Sequence, residues 1–179
     1  DGYGRMADKP AVTLLHLGPG LGNGLANLHN ARKAGSPIIN MVGDHATYHK
    51  HFNAPLTSDT EGVARPMSDW VRTSTSERDL AQAGAEAFAA AQGYPGKVAT
   101  VIVPANHAWT EGSAPVAPLP VPAVARTPDE TIAAAAAALK DGEGPKCLFL
   151  GGRALREDAL VEAGRIAAAT GCRLVAETF

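Results

Sequence analysis

Short uncharged apolar runs alternate along this chain with segments whose apolar residues recur at helical spacing. The runs rich in valine, isoleucine and leucine predict buried strands at residues 11–15, 37–42, 97–103 and 146–150. Weaker patterns predict two more strands, at residues 68–74 on a sheet edge and at 173–176. Helical spacing predicts helices at residues 24–33, 77–92, 129–139 and 154–170. Strands that alternate with helices favour an α/β fold, with a mostly parallel sheet flanked by helices.

A glycine-rich stretch, Leu-Leu-His-Leu-Gly-Pro-Gly-Leu-Gly-Asn at residues 14–23, links the first strand to the first helix. Open parallel sheets bind ligands at the ends of their strands, so the stretch predicts a ligand-binding loop. Gly18 and Gly20 lack a Cβ and let a ligand approach the backbone, and His16 adds a titratable side chain. The alternative is that the glycines serve only the turn and His16 is structural.

Polar residues also follow the second predicted strand. The strand ends in Gly-Asp-His at residues 43–45, so Asp44 and His45 should reach the same sheet edge as His16. Residues 46–66 then form a long stretch that we expect to be irregular. Because loops of this length in compact domains are commonly functional, the stretch is a candidate cover for a site at that edge.

Prolines change the character of the chain between residues 104 and 128. Their density predicts an extended connector that neither pairs within a sheet nor forms a helix, and therefore a domain boundary. Beyond it, two strands and two helices begin a second α/β domain. Residues 1–6 have the pattern of a helix end, so we expect the chain to be a fragment of a longer protein.

Composition narrows the class of partner. The formal net charge is −2 and the sequence pI is about 6.3, which provides no basic surface for nucleic acid or for an anionic membrane. No apolar run is long enough to span a bilayer. Cys147 and Cys172 are isolated, which favours a cytoplasmic protein without disulfides. A small molecule or another protein is the expected partner.

Several kinds of site are excluded or disfavoured by their residues. Residues 18–23 lack the Lys-Ser/Thr of a phosphate-binding P-loop, and no Gly-x-Ser-x-Gly nucleophile motif occurs. The histidines at 45, 49 and 51 are better interpreted as solvated loop residues than as metal ligands, so no metal site is predicted. A dinucleotide site is the serious alternative, because Asp44 follows the next strand. However, Asn23 stands where the third glycine of that fingerprint belongs.

Four segments together resemble the pyrimidine-binding domain of thiamine diphosphate-dependent enzymes of the acetolactate synthase and benzoylformate decarboxylase group. They are Asp-Gly-Tyr-Gly-Arg-Met at 1–6, Gly-Pro-Gly-x-x-Asn at 18–23, the helix at 26–34 and Ser-Pro-Ile at 36–38. The resemblance implies a pyrimidine-binding domain at residues 1–108 that lacks its first part, and a proline-rich linker at 109–127. Residues 128–179, with Leu-Phe-Leu-Gly-Gly-Arg-Ala-Leu, would begin the central α/β domain of the family.

The resemblance also implies a cofactor, thiamine diphosphate with Mg²⁺, and a role for particular residues. The cofactor's thiazolium carbon attacks a 2-keto acid, and carbon dioxide leaves because the ring accepts the electrons. Gly18, Pro19, Gly20 and Asn23 would pack beside the aminopyrimidine. His16 falls where benzoylformate decarboxylase has an active-site histidine, which favours a decarboxylase or carboligase of aromatic or bulky substrates. Asp44 and His45 would line the substrate pocket, where relatives often have glutamine.

Other parts of such an active site are expected outside this sequence. The resemblance places the activating glutamate upstream of residue 1 and the diphosphate and Mg²⁺ site downstream of residue 179. It also implies a second subunit that completes the site, as a homodimer or homotetramer, so the chain alone should be inactive. A bound FAD has no support in the sequence. The alternatives are an NAD-type oxidoreductase domain and a non-catalytic binding relative with the same fold.

Overall fold

The chain forms two compact units, Asp1–Ala123 and Val124–Phe179, in a computed structural model that describes residues 1–112 and 114–178. The division falls inside the predicted linker at 109–127. Unit one contains the elements α1 Gly2–Ala7, β1 Ala11–His16, α2 Leu17–Lys33, β2 Ile38–Asp44, α3 Thr60–Ala64, β3 Trp70–Thr73, α4 Leu80–Gln92, β4 Val98–Pro104 and α5 Ala105–Trp109. Unit two contains α6 Asp129–Asp141, β5 Cys147–Leu150, α7 Glu157–Thr170 and β6 Arg173–Ala176.

The four strands of unit one form a single sheet in the order β1-β2-β4-β3, and every neighbouring pair is parallel. The predicted parallel α/β fold is therefore confirmed. β4 lies between two strands and is buried along its whole length, which explains its valine- and isoleucine-rich sequence. β3 pairs only with β4 and is half-buried, as expected for an edge strand.

Two hydrophobic clusters cover the two faces of the sheet. On one face, α2 contributes Leu21 and Leu28, which pack with Val42 of β2 and Ile102 of β4. On the other face, α4 presents a row of alanines to the strands. These alanines, Ala83, Ala87 and Ala91, are fully buried, because small side chains let the helix approach the sheet closely.

The prediction that β1 is a buried strand is wrong for one of its two faces. Leu15 and Thr13 face α2, but Val12 is 63% exposed and Leu14 is 79% exposed. The reason is that α4 covers β4 and part of β2 and leaves the same side of β1 open among the described residues. An apolar run in the sequence cannot distinguish a strand covered on both faces from one covered on a single face.

A row of buried polar side chains crosses the sheet beneath α2. Asn40 accepts a hydrogen bond from the Thr13 hydroxyl at 2.8 Å and donates one to the Thr100 hydroxyl at 3.1 Å. Thr100 in turn shares a 2.7 Å hydrogen bond with Ser68. Because unpaired polar groups are costly inside a protein, this row favours one strand register over its neighbours.

Three predicted boundaries are corrected by local hydrogen bonds. α4 begins at Leu80 rather than at residue 77, because Ser76 accepts from the Asp79 N–H and Asp79 from the Thr75 N–H, which forms a turn instead. The stretch at 46–66 is not wholly irregular, since it contains α3, whose first turn is capped by Asp59. The predicted connector begins with a helix, α5, before the extended residues.

Arg72 of β3 makes ion pairs with Asp79 and Glu86 at the sheet edge. Hydrogen bonds from the Thr75 backbone, together with Arg72, hold the pKa of Asp79 below its usual range. The Gln82 amide and Arg72 do the same for the pKa of Glu86. Carboxylates with a lowered folded pKa stabilise the protein above their unfolded values, about 3.9 for Asp and 4.3 for Glu.

We therefore expect the stability of unit one to fall as the pH drops through about 4 toward the folded pKa values. The Asp79→Asn variant should start less stable at pH 7 and lose less stability between pH 5 and pH 2. Urea unfolding across this range measures both slopes, with Glu111→Gln as the control on an exposed carboxylate. Equal slopes for the wild type and Asp79→Asn would contradict the assignment.

Unit two contains a pair of parallel strands, β5 and β6, as predicted. The prediction that β5 is a buried strand is wrong, since its Phe149 is 67% exposed. The reason is that α6 contributes no buried residue and so does not cover the strand. A short 3₁₀ turn at Gly152–Leu155 delays the last helix, which begins at Glu157 rather than at residue 154. Within the part of the chain that the structure describes, no helix is both long and apolar enough to cross a membrane.

Candidate functional site

The carboxyl ends of the central strands bring the predicted site residues together. His16 ends β1 opposite Gly43, and Asp44 ends β2 opposite Pro104 of β4. Because all of these strands run in the same direction, their last residues meet at one edge of the sheet. The sequence-based expectation that His16, Asp44 and His45 share one edge agrees with this geometry.

A cavity of about 580 Å³ opens at this edge, and we call it the edge cavity. Its walls are mostly apolar, with three histidines and one carboxylate, the composition typical of small-molecule sites. The lining residues are Leu14, His16, Leu17, Met41, Gly43, Asp44, His45, Ala46, Tyr48, His49, Leu56, Val103, Ala105, Ala108 and Trp109.

His16 stands at the junction of β1 and α2, where its backbone is still extended. Its side chain is exposed and lines the edge cavity. It does not cap the N-terminus of α2 through its side chain, and it makes no hydrogen bond to another described residue. The imidazole is therefore available to a ligand rather than committed to the fold.

The glycine-rich stretch is helical, so the prediction of a loop there is wrong. α2 begins at Leu17 and includes Gly18, Pro19 and Gly20 in its first turn, where a proline is tolerated because no intrahelical N–H bond is needed. The left-handed backbone at the corner belongs to Leu17, with a φ of 54°, and to none of these glycines.

Gly18 is required by packing. A Cβ on this residue would lie 1.9 Å from the Ser58 Oγ, so the missing side chain lets the segment before α3 rest against the start of α2. Gly20 is less crowded, with the nearest atom, the His16 Cβ, at 3.2 Å. Pro19 and Asn23 are exposed on α2. Gly18, Pro19, Gly20 and Asn23 are not among the lining residues of the edge cavity, and their contact with a cofactor stays a prediction.

Both carboxylate oxygens of Asp44 contact neighbouring residues. Its side chain is 7% exposed and lies 2.5 Å from the Lys50 ammonium group. The other oxygen accepts the His45 N–H at 2.8 Å. Asp44 thus forms a wall between the edge cavity and a second, polar cavity of about 300 Å³ that Glu61 and Thr73 also line.

His45 carries a buried ring nitrogen, Nε2, with no hydrogen-bond partner among the described residues. Its ring lies 5.2 Å from the ring of His49, which also lines the edge cavity. No three histidine, cysteine, aspartate or glutamate side chains of residues 1–112 and 114–178 form a potential metal site. His49 and His51 instead contact the ring of Phe52.

Sequence reasoning missed one element that lines the edge cavity, the helix α5. α5 contributes Ala105, Ala108 and Trp109 to the lining, although it lies inside the segment predicted as a connector. Asn106 of α5 accepts the Thr47 N–H at 2.8 Å, and the buried His107 shares a 3.0 Å hydrogen bond with Ser74. The only signal in the sequence was the absence of proline between residues 105 and 114.

A parallel α/β domain with a largely apolar cavity at the carboxyl edge is typical of proteins that bind small molecules or cofactors. Residues 1–69 match the family described as "Thiamine pyrophosphate enzyme, N-terminal TPP binding domain". The chain is 49% identical to "Putative acetolactate synthase large subunit IlvX" of Mycobacterium tuberculosis, over all 179 residues and 34% of that protein. It is 31% identical over 99 residues to the acetolactate synthase catalytic subunit of Aspergillus candidus, which covers 55% of this chain and 14% of that protein.

Solved structures agree on the fold. The thiamine diphosphate-dependent 4-hydroxybenzoylformate decarboxylase of Rhodococcus jostii RHA1 matches 98% of this chain and 34% of its own, with a TM-score of 0.84 at 20% identity. The benzoylformate decarboxylase of Polynucleobacter necessarius also has a TM-score of 0.84, at 21% identity, over 98% of this chain and 33% of its own.

Residues 1–69 therefore match the N-terminal thiamine pyrophosphate-binding domain family, and the chain is homologous to a putative acetolactate synthase large subunit. The family resemblance drawn from the sequence is confirmed, and the dinucleotide-binding alternative gains no support. The chain spans about a third of the length of its 49%-identical relative, 34% of that protein.

Proposed function

We propose that the full-length protein is a thiamine diphosphate-dependent enzyme that acts on 2-keto acids, and that unit one supplies the wall of the active site that holds the aminopyrimidine. The observation that carries the proposal is the edge cavity. It lies at the carboxyl edge of a sheet whose first strands belong to a thiamine pyrophosphate-binding domain, and His16 is one of its lining residues. The decarboxylase and carboligase reactions of this cofactor both begin with a 2-keto acid.

The residues of the edge cavity fit the aromatic half of such a cofactor. Leu17, Met41 and Val103 offer apolar surface to a flat ring, and the cavity volume of about 580 Å³ leaves room for a substrate beside it. The buried, unpartnered Nε2 of His45 is a polar atom without a protein partner near this surface among the described residues. Such an atom supports a binding site for a ligand that carries polar groups.

In this proposal, His16 moves protons at its imidazole nitrogens, because it is exposed to the edge cavity and free of bonds to other described side chains. Asp44 and His45 form the substrate side of the pocket, with Asp44 held by Lys50 and its backbone neighbour. When bound, the cofactor supplies the carbon nucleophile and the electron-accepting ring. Leu14, Met41 and Trp109 add apolar surface to the lining of the cavity, which suits a bulky apolar substrate.

The proposal also includes two parts of the active site that lie outside this chain, the diphosphate and Mg²⁺ site and a second subunit. We propose that the diphosphate and Mg²⁺ are held elsewhere in the full-length protein, as the family resemblance implies. A second subunit in a homodimer or homotetramer would close the site, in a protein located in the cytoplasm. The relative length of the 49%-identical homologue, of which this chain matches 34%, is consistent with such additional domains.

Calorimetric titration of the full-length protein tests the proposal. Thiamine diphosphate should bind in the presence of Mg²⁺ and bind much more weakly after chelation of the metal. NADH, titrated under the same conditions, should produce no heat of binding. Tight NADH binding without thiamine diphosphate binding would support the dinucleotide alternative, and binding of neither would favour a non-catalytic relative.

A further inference from the structure

Part of the lining of the edge cavity comes from a segment that is neither helix nor strand. This segment, residues 45–49, connects the end of β2 to a short 3₁₀ turn at Lys50–Phe52. Three of its side chains, those of His45, Tyr48 and His49, line the cavity. Because a segment of this kind lacks a ladder of backbone hydrogen bonds, its position depends on a few specific contacts.

A backbone hydrogen bond from the His49 N–H to the Ala46 oxygen at 2.8 Å closes a turn inside the segment. Side-chain contacts then tie the segment to the strand before it and to α5. The first is the ion pair between Lys50 and the buried Asp44 carboxylate, which brings the two ends of the segment together. The second reaches across the sheet edge, where the Asn106 side-chain oxygen accepts the Thr47 N–H at 2.8 Å. Thr47 lies between His45 and Tyr48 in the chain, so this hydrogen bond fixes the backbone that carries both lining side chains.

The helix that carries Asn106 is itself firmly anchored. α5 follows β4 without an intervening loop, and β4 is buried along its whole length. His107, the next residue, is 5% exposed and shares a 3.0 Å hydrogen bond with Ser74 after β3. Ala105, Ala108 and Trp109, on the same helix as Asn106, also line the edge cavity. Asn106 therefore links the segment at residues 45–49 to the helix that directly follows the buried strand β4.

We propose that Asn106 is a positioning residue that sets the width of the edge cavity, and through it the discrimination between bulky and small 2-keto acids. This inference rests on the proposed function. Without the Asn106 oxygen, the Thr47 N–H bonds to water and residues 45–49 move away from α5. His45, Tyr48 and Trp109 then no longer hold a fixed separation, so a bulky side chain loses the contacts that favour it over a methyl group.

The test compares Asn106→Ala with Asn106→Asp, which keeps an acceptor oxygen at the same position, in the full-length protein. Asn27→Ala, an exposed asparagine on α2, is the matched control. Two quantities are measured for each: the amide exchange rate of Thr47, and the ratio of kcat/KM for benzoylformate to kcat/KM for pyruvate. Loss of one hydrogen bond should speed the exchange and lower the ratio by about threefold to tenfold in Asn106→Ala. Asn106→Asp and Asn27→Ala should match the wild type in both.

Unchanged exchange in Asn106→Ala would overturn the proposed contact. Faster exchange with an unchanged ratio would overturn the positioning role, as would an equal loss of kcat/KM for both acids, which is what general destabilisation produces. If the wild type turns over neither acid, the proposed function fails separately. In that case the ratio of the affinities for benzoylformate and pyruvate is measured by calorimetry on the same variants. It should fall by the same factor in Asn106→Ala.

Discussion

Replacing His16 by alanine in the full-length protein is expected to lower turnover by about 10²–10⁴-fold, the usual contribution of a general acid or base. Thiamine diphosphate affinity should remain close to that of the wild type, because the apolar contacts proposed for the aminopyrimidine come from Leu17, Met41 and Val103 rather than from the exposed imidazole. The melting temperature should also be preserved, since the side chain is exposed and does not cap α2. Steady-state kinetics, calorimetry and thermal melting on one preparation measure all three.

A second histidine provides the matched control for this experiment. His29 is exposed on α2 and hydrogen-bonds only to its neighbour Asn30 among the described residues, so His29→Ala should leave turnover unchanged. The opposite outcome for His16→Ala, full activity with a lowered melting temperature, would show that the imidazole is structural. In that case the site would need another group to transfer protons.

Adding a methyl group at Gly18 is expected to destabilise the start of α2 by about 1–3 kcal/mol, the usual cost of overpacking. The new Cβ would lie 1.9 Å from the Ser58 Oγ and 2.8 Å from the Ser58 Cβ, so the segment before α3 must move. Because Asp44, Lys50 and Ser58 line the same second cavity, and Asp44 also lines the edge cavity, the displacement should reach the edge cavity. Native-state hydrogen exchange at the buried Leu21 amide measures the loss.

Two variants make this prediction specific. Gly22 is exposed in the same helix, and nothing outside the helix backbone lies within 4 Å of an added Cβ, so Gly22→Ala should stabilise α2 by about 0.5–1 kcal/mol. Combining Gly18→Ala with Ser58→Gly removes both overlapping atoms and should restore most of the lost stability. Failure of this double variant to recover would show that Gly18 is required for a reason other than packing against Ser58.

The sequence predicted the sheet well because its central strands are buried on both faces. β4 consists of almost continuous apolar residues and β2 begins with two isoleucines, and such runs in an α/β sequence are typical of central strands. The same apolar pattern led to a wrong prediction of burial at β1, where Leu14 is 79% exposed. Which helix covers which strand is decided by tertiary packing, and a local pattern does not contain that information.

The candidate site was predictable only in part, for related reasons. The placement of His16 and Asp44 follows from the direction of parallel strands, which is a general property of the fold. The glycines misled because turn-forming composition also occurs in the first turn of a helix, here with Leu17 in the left-handed conformation. The Thr47 to Asn106 hydrogen bond joins residues 59 positions apart, a pairing that no spacing rule predicts.

The crystal structure of the full-length protein with thiamine diphosphate and Mg²⁺ is the most direct test of the proposed function. The aminopyrimidine ring is predicted to lie in the edge cavity, against Leu17 and Met41 and within reach of the His16 imidazole. A ring bound at any other site, with the edge cavity filled only by solvent, would contradict the central claim that unit one holds the pyrimidine half of the cofactor.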